Sequence, residues 1–178
     1  MEKSVTIERK ADYTADFIRS ILDYDPGTGV FRWKHRPDHP QKWNTKFVGR
    51  IAGTRIKGHL AITVQFPGKY YAHRLAWLHY YGKWPQDEVD HINGVRDDNR
   101  IANLRAANRS ENACNGKKRS CNTSGFVGVS WSAYHKSWEA RIRKDTRYVW
   151  RKRFATAQEA HEARRAKLSE IHGEFARH

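Results

Sequence analysis

Residues 88–116, reading EVDHINGVRDDNRIANLRAANRSENACNG, constrain the fold of this chain more than any other stretch. Val89-Asp90-His91-Ile92 alternates in the manner of a short strand. Asn93-Gly94 follows, the residue pair that best tolerates positive φ in a tight turn. A polar loop of Asp and Arg comes next, then a second strand expected at Asn103-Leu104-Arg105. Ser110 is placed to cap a short helix carrying Glu111 and Asn112. The expected local order is strand, loop, strand, helix, gathering Asp90, His91, Asn103 and Asn112 into one concavity. Adjacent residues of a regular strand face opposite sides. Asp90 and His91 can therefore share a site only at a strand end or bulge.

Those residue types suit one chemistry. Asp90 and Asn112 offer oxygen ligands to a hard cation, Mg²⁺ or Mn²⁺, with room left for water and phosphate oxygens. His91 can take a proton from an attacking water near neutral pH. Asn103 can accept the other imidazole N–H and orient the ring. Asn99 is its rival for that role; Asn103 is preferred because Leu104 beside it reads as a core anchor. The spacing is 12 residues from His91 to Asn103 (103 − 91) and 9 from Asn103 to Asn112 (112 − 103). Asp90-His91, Asn103-Leu104 and Ser110-Glu111-Asn112 at that spacing resemble the HNH nucleases in their His-Asn-Asn form. The resemblance implies a ββα-metal site that cuts phosphodiester bonds in the manner of phage or homing endonucleases, leaving 3′-hydroxyl and 5′-phosphate ends. It assigns His91 and Asn103 to catalysis and Asp90 and Asn112 to the metal.

Lys plus Arg number 34 against 19 Asp plus Glu, a formal net charge of +15. Such an excess favours a polyanion through counterion release, nucleic acid first, with an anionic membrane surface as the rival; with the nuclease resemblance, double-stranded DNA is the expected partner. No small-molecule substrate is expected. No apolar run approaches the length of a membrane span, and residues 1–14 lack an apolar signal core, so a cytoplasmic protein without a membrane partner is expected. The two cysteines, Cys114 and Cys121, form no CxxC pair. A four-cysteine zinc site is excluded, and no structural zinc is expected.

Before the motif, Phe17, Ile18, Ile21 and Leu22 form a helical stripe over residues 14–23, with Thr14 as cap. Asp25-Pro26-Gly27-Thr28-Gly29 is a strong turn leading to a strand at Val30–Trp33, and DYDPGTGVFRWK resembles the opening of many phage-type HNH proteins. Residues 35–50 read as a polar loop. Leu60–Val64 reads as a strand, and a helix follows over AHRLAWLHYYGKWP, burying Leu75, Ala76, Leu78 and Tyr81 and stopping at Gly82. His73 and Arg74 at its start can meet a phosphate. Arg105 and Arg109 are further phosphate candidates.

After a basic linker at 117–124, whose Lys117, Lys118 and Arg119 either are solvated or lie along a DNA backbone or minor groove, the pattern changes. Strands are expected at Phe126–Trp131, Ser137–Arg143 and Tyr148–Phe154. Trp138, Ala140 and Ile142 face a core, while Glu139, Arg141 and Arg143 face out. Thr156 and Glu159 then open a helix as a capping box. The open sheet face is expected to carry Arg141, Arg143, Trp150 and Lys152 against DNA, and Arg147 is a further DNA-binding candidate. GFVGVSW, KSWEARIR and YVWRKRFATAQEAHEA are similar to the plant ethylene-response-factor (APETALA-type) DNA-binding domain, with Arg143 and Trp150 at two of its base-reading positions.

The expected fold class is α+β: a small N-terminal α/β scaffold with the ββα motif, then a three-stranded antiparallel sheet on one helix. The expected domains are a nuclease over 1–116, the linker, and a DNA-binding domain over 125–178. The expected function is a metal-dependent DNA endonuclease acting as monomer or homodimer. A DNA-binding protein that keeps the HNH fold without cutting is the alternative.

Overall fold

The computed structural model describes residues 13–65, 68–114, 122–144 and 147–173. It divides into two compact units, Met1–Ala106 and Ala107–His178. The class is α+β, as expected.

In the first unit, helix α1 (Ala15–Ile21) is capped by Thr14, whose hydroxyl accepts from the Phe17 amide at 3.2 Å. The helix stops at Ile21 because Leu22 is already extended, at φ −129° and ψ 135°. Strand β1 (Leu22–Asp25) then pairs antiparallel with β2 (Val30–Trp33). Helix was expected as far as Asp23; the pairing with β2 outweighs a helical propensity of a few tenths of a kcal/mol per residue, an order-of-magnitude estimate. The turn between the strands is tied by the Asp25 carboxylate, which accepts from Gly27 N and from the amide and hydroxyl of Thr28.

Helix α2 (Gln41–Phe47) occupies the stretch expected to be loop. Its anchor is polar. The Asn44 carboxamide brackets Arg36, accepting from its amide and donating to its carbonyl, each at 2.8 Å. Arg36 is itself 1% exposed. Its guanidinium donates to the Val64 carbonyl and to Asp38, and lies over Trp33 and Trp43.

Strands β3 (Thr54–Ile56), β4 (His59–Gln65) and β5 (Gly68–Tyr71) form an antiparallel sheet in that order. Helix α3 (Ala72–Tyr81) follows and ends on Gly82 at φ 75°, a left-handed stop that favours glycine. Ile18, Leu22, Phe31, Ile62, Leu75 and Leu78 are at most 1% exposed and form its core with α1 and the sheet. Each such side chain contributes about 1.5–3 kcal/mol by burial. Tyr81, expected inside, is exposed. Strand β6 (Glu88–His91) pairs with β7 (Leu104–Ala107), and a 3₁₀ turn at Ile101–Asn103 leads into β7.

The second unit begins with α4 (Arg109–Cys114). Its cap is Asn108, which accepts from the Glu111 amide at 2.9 Å while Glu111 accepts from the Asn108 amide at 2.7 Å. The cap was expected at Ser110; the reciprocal bonds place it two residues earlier. Strands β8 (Val129–Ser132), β9 (Ser137–Lys144) and β10 (Arg147–Phe154) form the antiparallel sheet β10-β9-β8. Helix α5 (Ala157–His172) opens with the expected Thr156–Glu159 capping box. Val129, Ala140 and Ala160 are buried together, with Trp138, Trp150 and Phe154 packed against them. No described helix is long and apolar enough to cross a membrane.

Candidate active site

His91 is the last residue of β6. Its carbonyl accepts from the Gly94 amide at 2.8 Å, so the chain turns at once through Asn93-Gly94. The strand end lets Asp90 and His91 both be buried, each 5% exposed. The Ile92 amide donates to the Asn103 carbonyl at 2.9 Å and closes the base of the loop.

The two loop asparagines differ in their work. Nε2 of His91 lies 3.2 Å from Oδ1 of Asn99. The Asn99 amide nitrogen faces the Asp97 carbonyl at 3.4 Å, so its oxygen is the atom presented to the ring. Nε2 then carries the proton, and Nδ1 holds the lone pair. Asn103, expected in this orienting place, instead ties the loop together. Its oxygen accepts from the Asn93 amide at 3.0 Å, and its nitrogen donates to Asn93 Oδ1 and the Asp98 carbonyl. The physical reason is the 3₁₀ turn, which points residue 103 into the loop it closes.

Asn99 is 1% exposed and is held from the β1–β2 hairpin. The Tyr24 hydroxyl donates to its carbonyl at 2.7 Å, and the Ile101 amide donates to the Pro26 carbonyl at 3.1 Å. Gly29, at φ 75°, lets the turn press against the loop. A Cβ there would sit 2.5 Å from the Arg100 nitrogen and from the Asn99 carbonyl carbon. The sequence signal for this support is DPGTG itself, a turn inside the segment that resembles the opening of phage-type HNH proteins.

Burial pushes the His91 imidazole below the usual histidine range, while the Asn99 bond and Asp90 oppose it. His91 is therefore neutral at pH 7 and able to accept a proton. Asp98 is held down to about 2 by its Arg100 partner, helped by Asn93. Asp90 is engaged by Arg105, whose Nε and Nη2 both donate to Oδ2, at 2.9 and 2.8 Å. Arg105 was expected to face phosphate; it sits on a carboxylate instead. Asn112 lies in the first turns of α4, half-buried, with its amide donating to the Asn108 carbonyl at 3.0 Å.

His73 was expected to meet phosphate at a helix start. It is 7% exposed, and its ring centroid lies 5.0 Å from that of His91 and 5.4 Å from that of His59. One ring nitrogen from each of His59, His73 and His91 lies within 4.8 Å of the others, a group that could hold a metal ion. Nothing in the sequence pointed to His59. Burial lowers His59 to about 4 and His73 well below the usual range. Arg74 donates to the Asp87 carbonyl at 2.7 Å and lies over Trp84, bracing the segment before β6.

In the second unit the register decides the sheet faces. Arg151 pairs with Arg141, and Arg153 with Glu139, whereas Trp150 pairs with Ile142 and Lys152 with Ala140. Trp150 and Lys152, expected on the open face, thus stand on the helix side. A bulge between Tyr148 and Trp150 shifts the alternation by one residue. Tyr148 pairs with Arg143, whose guanidinium lies 4.5 Å from the tyrosine ring centre. The open face carries Arg141, Arg143, Tyr148, Arg151 and Arg153 around Glu139. Glu139 is 7% exposed and meets Arg151 at 2.8 Å, Arg141 at 3.4 Å and Arg153 at 3.8 Å. Arg147, a further DNA-binding candidate, is exposed at the start of β10. Lys117, Lys118 and Arg119 lie outside the described residues.

A family model described as HNH endonuclease matches residues 70–114, which include His73, Asp90, His91, Asn99, Asn103 and Asn112. Protein 3.8 of Escherichia phage T7 is 34% identical over 92 residues, covering 50% of this chain and 73% of that protein. No solved structure matches. With the motif seated on a paired strand, loop and strand, and a phage protein alike over most of its length, the chain belongs to the HNH endonuclease family.

Proposed function

We propose that this protein is a metal-dependent DNA endonuclease that hydrolyses phosphodiester bonds. The observation that supports it most is His91: buried, neutral at pH 7, its Nε2 engaged by Asn99, and preceded directly by a carboxylate. Nδ1 of His91 takes a proton from water as the oxygen bonds to phosphorus. The bond to the 3′ oxygen then breaks and that oxygen takes a proton from solvent water, leaving a 3′-hydroxyl and a 5′-phosphate. By their place in the motif Asp90 offers a carboxylate and Asn112 a carboxamide oxygen, residue types that fit Mg²⁺ or Mn²⁺. When bound, such an ion stabilises negative charge at the phosphate. Asn103 keeps the loop closed around this group. Arg105 fixes the Asp90 carboxylate through two hydrogen bonds to Oδ2.

The arginine-rich face of β9 and β10 grips duplex DNA, in keeping with the APETALA-type resemblance and the net charge of +15. Each site cuts one strand per encounter, so a monomer nicks and a homodimer can cut both strands. Phage or homing endonucleases are the functional class. The protein acts in the cytoplasm of the host cell.

One observation favours the alternative, a DNA-binding protein that does not cut: Arg105 sits on the carboxylate assigned to the ion. Supercoiled plasmid separates the two. With Mg²⁺ the wild type should yield nicked or linear product, and a chelator should stop it. His91→Ala should lower the rate by about 10²–10⁴-fold, the contribution of a general base, and keep duplex affinity. A wild type that binds plasmid and never cuts it supports the alternative.

A further inference from the structure

Three histidines distant in sequence converge inside the first unit. His59 opens β4, His73 is the second residue of α3, and His91 ends β6. The ring centroids of His59 and His91 are 6.0 Å apart, completing the triangle around His73. Nδ1 of His59 and Nδ1 of His73 are buried and meet no hydrogen-bond partner. A buried imidazole nitrogen without a partner is costly, typically about 1–3 kcal/mol. Two beside each other need a common reason.

We propose that His59, His73 and His91 form a binding site for one imidazole-preferring divalent transition ion, of the Zn²⁺, Co²⁺ or Ni²⁺ class. The imidazole site is distinct from the oxygen donor that Asp90 offers to Mg²⁺, and filling it silences the nuclease.

The donor chemistry selects the ion. Neutral imidazole suits zinc and its neighbours, whereas Mg²⁺ takes oxygen ligands and keeps its waters. The nitrogens already lie within 4.8 Å of one another. Tetrahedral coordination at about 2.0–2.1 Å sets them about 3.4 Å apart, so closing on an ion takes small ring movements. Arg74 and Arg96 bear electrostatically on the cluster, against Asp90 and Asp98. Both carboxylates are themselves paired, Asp90 with Arg105 and Asp98 with Arg100, so affinity comes from the imidazole ligands rather than from net charge. Three protein ligands leave a fourth position for water or a phosphate oxygen.

The silencing follows from one lone pair. With Nε2–H of His91 directed at Asn99, only Nδ1 can accept either a proton or an ion. A ring that ligates a transition ion cannot act as base. This half of the proposal rests on the nuclease reading above; the binding half does not.

The test uses the full chain, freed of metal by chelation. Co²⁺ is titrated in and its visible d–d absorption recorded, for wild type, His59→Gln and His73→Gln. Circular dichroism checks the fold. His59 is only half-buried, so His59→Gln remains informative if His73→Gln does not fold. The expected result is one Co²⁺ per chain with intense tetrahedral bands, displaced by Zn²⁺. His59→Gln should weaken binding at least about tenfold, the lower range for losing even an outer partner of a ligand. In parallel, plasmid cleavage under Mg²⁺ is measured with and without Zn²⁺, each protein against its own zinc-free rate. Wild type should be suppressed, and His59→Gln should be at least about tenfold less sensitive, matching its lost affinity. No Co²⁺ binding by wild type, or binding that His59→Gln leaves unchanged, overturns the site. Tight Co²⁺ binding with cleavage indifferent to Zn²⁺ overturns the silencing. Tight binding by a chain that never cuts under Mg²⁺ refutes the nuclease reading and the silencing with it, while the ion site stands.

Discussion

The carboxamides of Asn99 and Asn103 hold different things, and their loss should be felt differently. Asn99→Ala removes the acceptor at Nε2 of His91. Cleavage should fall about 10–100-fold, the usual effect of removing a group that orients a functional histidine. Asn103→Ala breaks three loop hydrogen bonds around a buried side chain. It should lower stability by about 1–3 kcal/mol. Urea melts and plasmid cleavage well below either melting temperature separate the two; a cleavage loss confined to Asn103→Ala would reverse the assignment. Asp98 gives the loop its pH dependence. Its carboxyl is lowered to about 2 in the fold by Arg100 and Asn93, against about 3.9 in an unfolded chain. Its stabilisation is therefore present above pH 4 and lost as pH falls from about 4 towards 2. Thermal melts of wild type and Asp98→Asn should differ at pH 6 and converge by pH 2. A constant difference across that range would show that Asp98 contributes nothing through its charge.

Elements that follow from a regular pattern were legible in the sequence; those held by single polar anchors were not. The stripe of α1, the stop of α3 at Gly82 and the capping box of α5 are local signals, set by covalent geometry and caps. Helix α2 is short and polar, and it is held by Asn44 gripping Arg36, a tertiary bond without a period. The bulge in β10 is likewise silent, because YVWRKRF alternates equally well in either register. The β1–β2 hairpin makes its own prediction. Gly29→Ala forces a Cβ into the backbone of Asn99 and Arg100, on top of a left-handed φ. Gly49, at φ 77° with nothing within 4 Å, carries the same backbone strain without the overlap. Gly49→Ala should cost about 1–2 kcal/mol, and Gly29→Ala clearly more, with cleavage lost as Asn99 shifts. Equal costs in chemical denaturation would show that the hairpin does not support the loop.

At the scale of the whole molecule, the charge excess must act through defined surfaces. The open face of the second unit presents Arg141, Arg143, Arg151 and Arg153, and Lys152 stands on the other side. Duplex affinity measured against salt counts phosphate contacts, with a slope of about 0.9 per contact. The double change Arg143→Gln with Arg153→Gln should reduce that slope by about 2, and Lys152→Gln should leave it unchanged. A slope moved by Lys152→Gln alone would place the DNA on the helix side.

By itself, the sequence determined the α+β class, the strand–loop–strand–helix motif, the identity of Asp90, His91 and Asn112 as candidates, and the charge excess that favours a polyanion. Each is a property of spacing, residue type or summed charge. Only the tertiary structure decided that Asn99 rather than Asn103 meets His91, that Arg105 grips Asp90, and that His59 and His73 stand beside the same ring. Those pairings join strand, helix and loop segments separated along the chain, and packing chooses among them by burial and hydrogen-bond geometry, which a linear pattern does not encode.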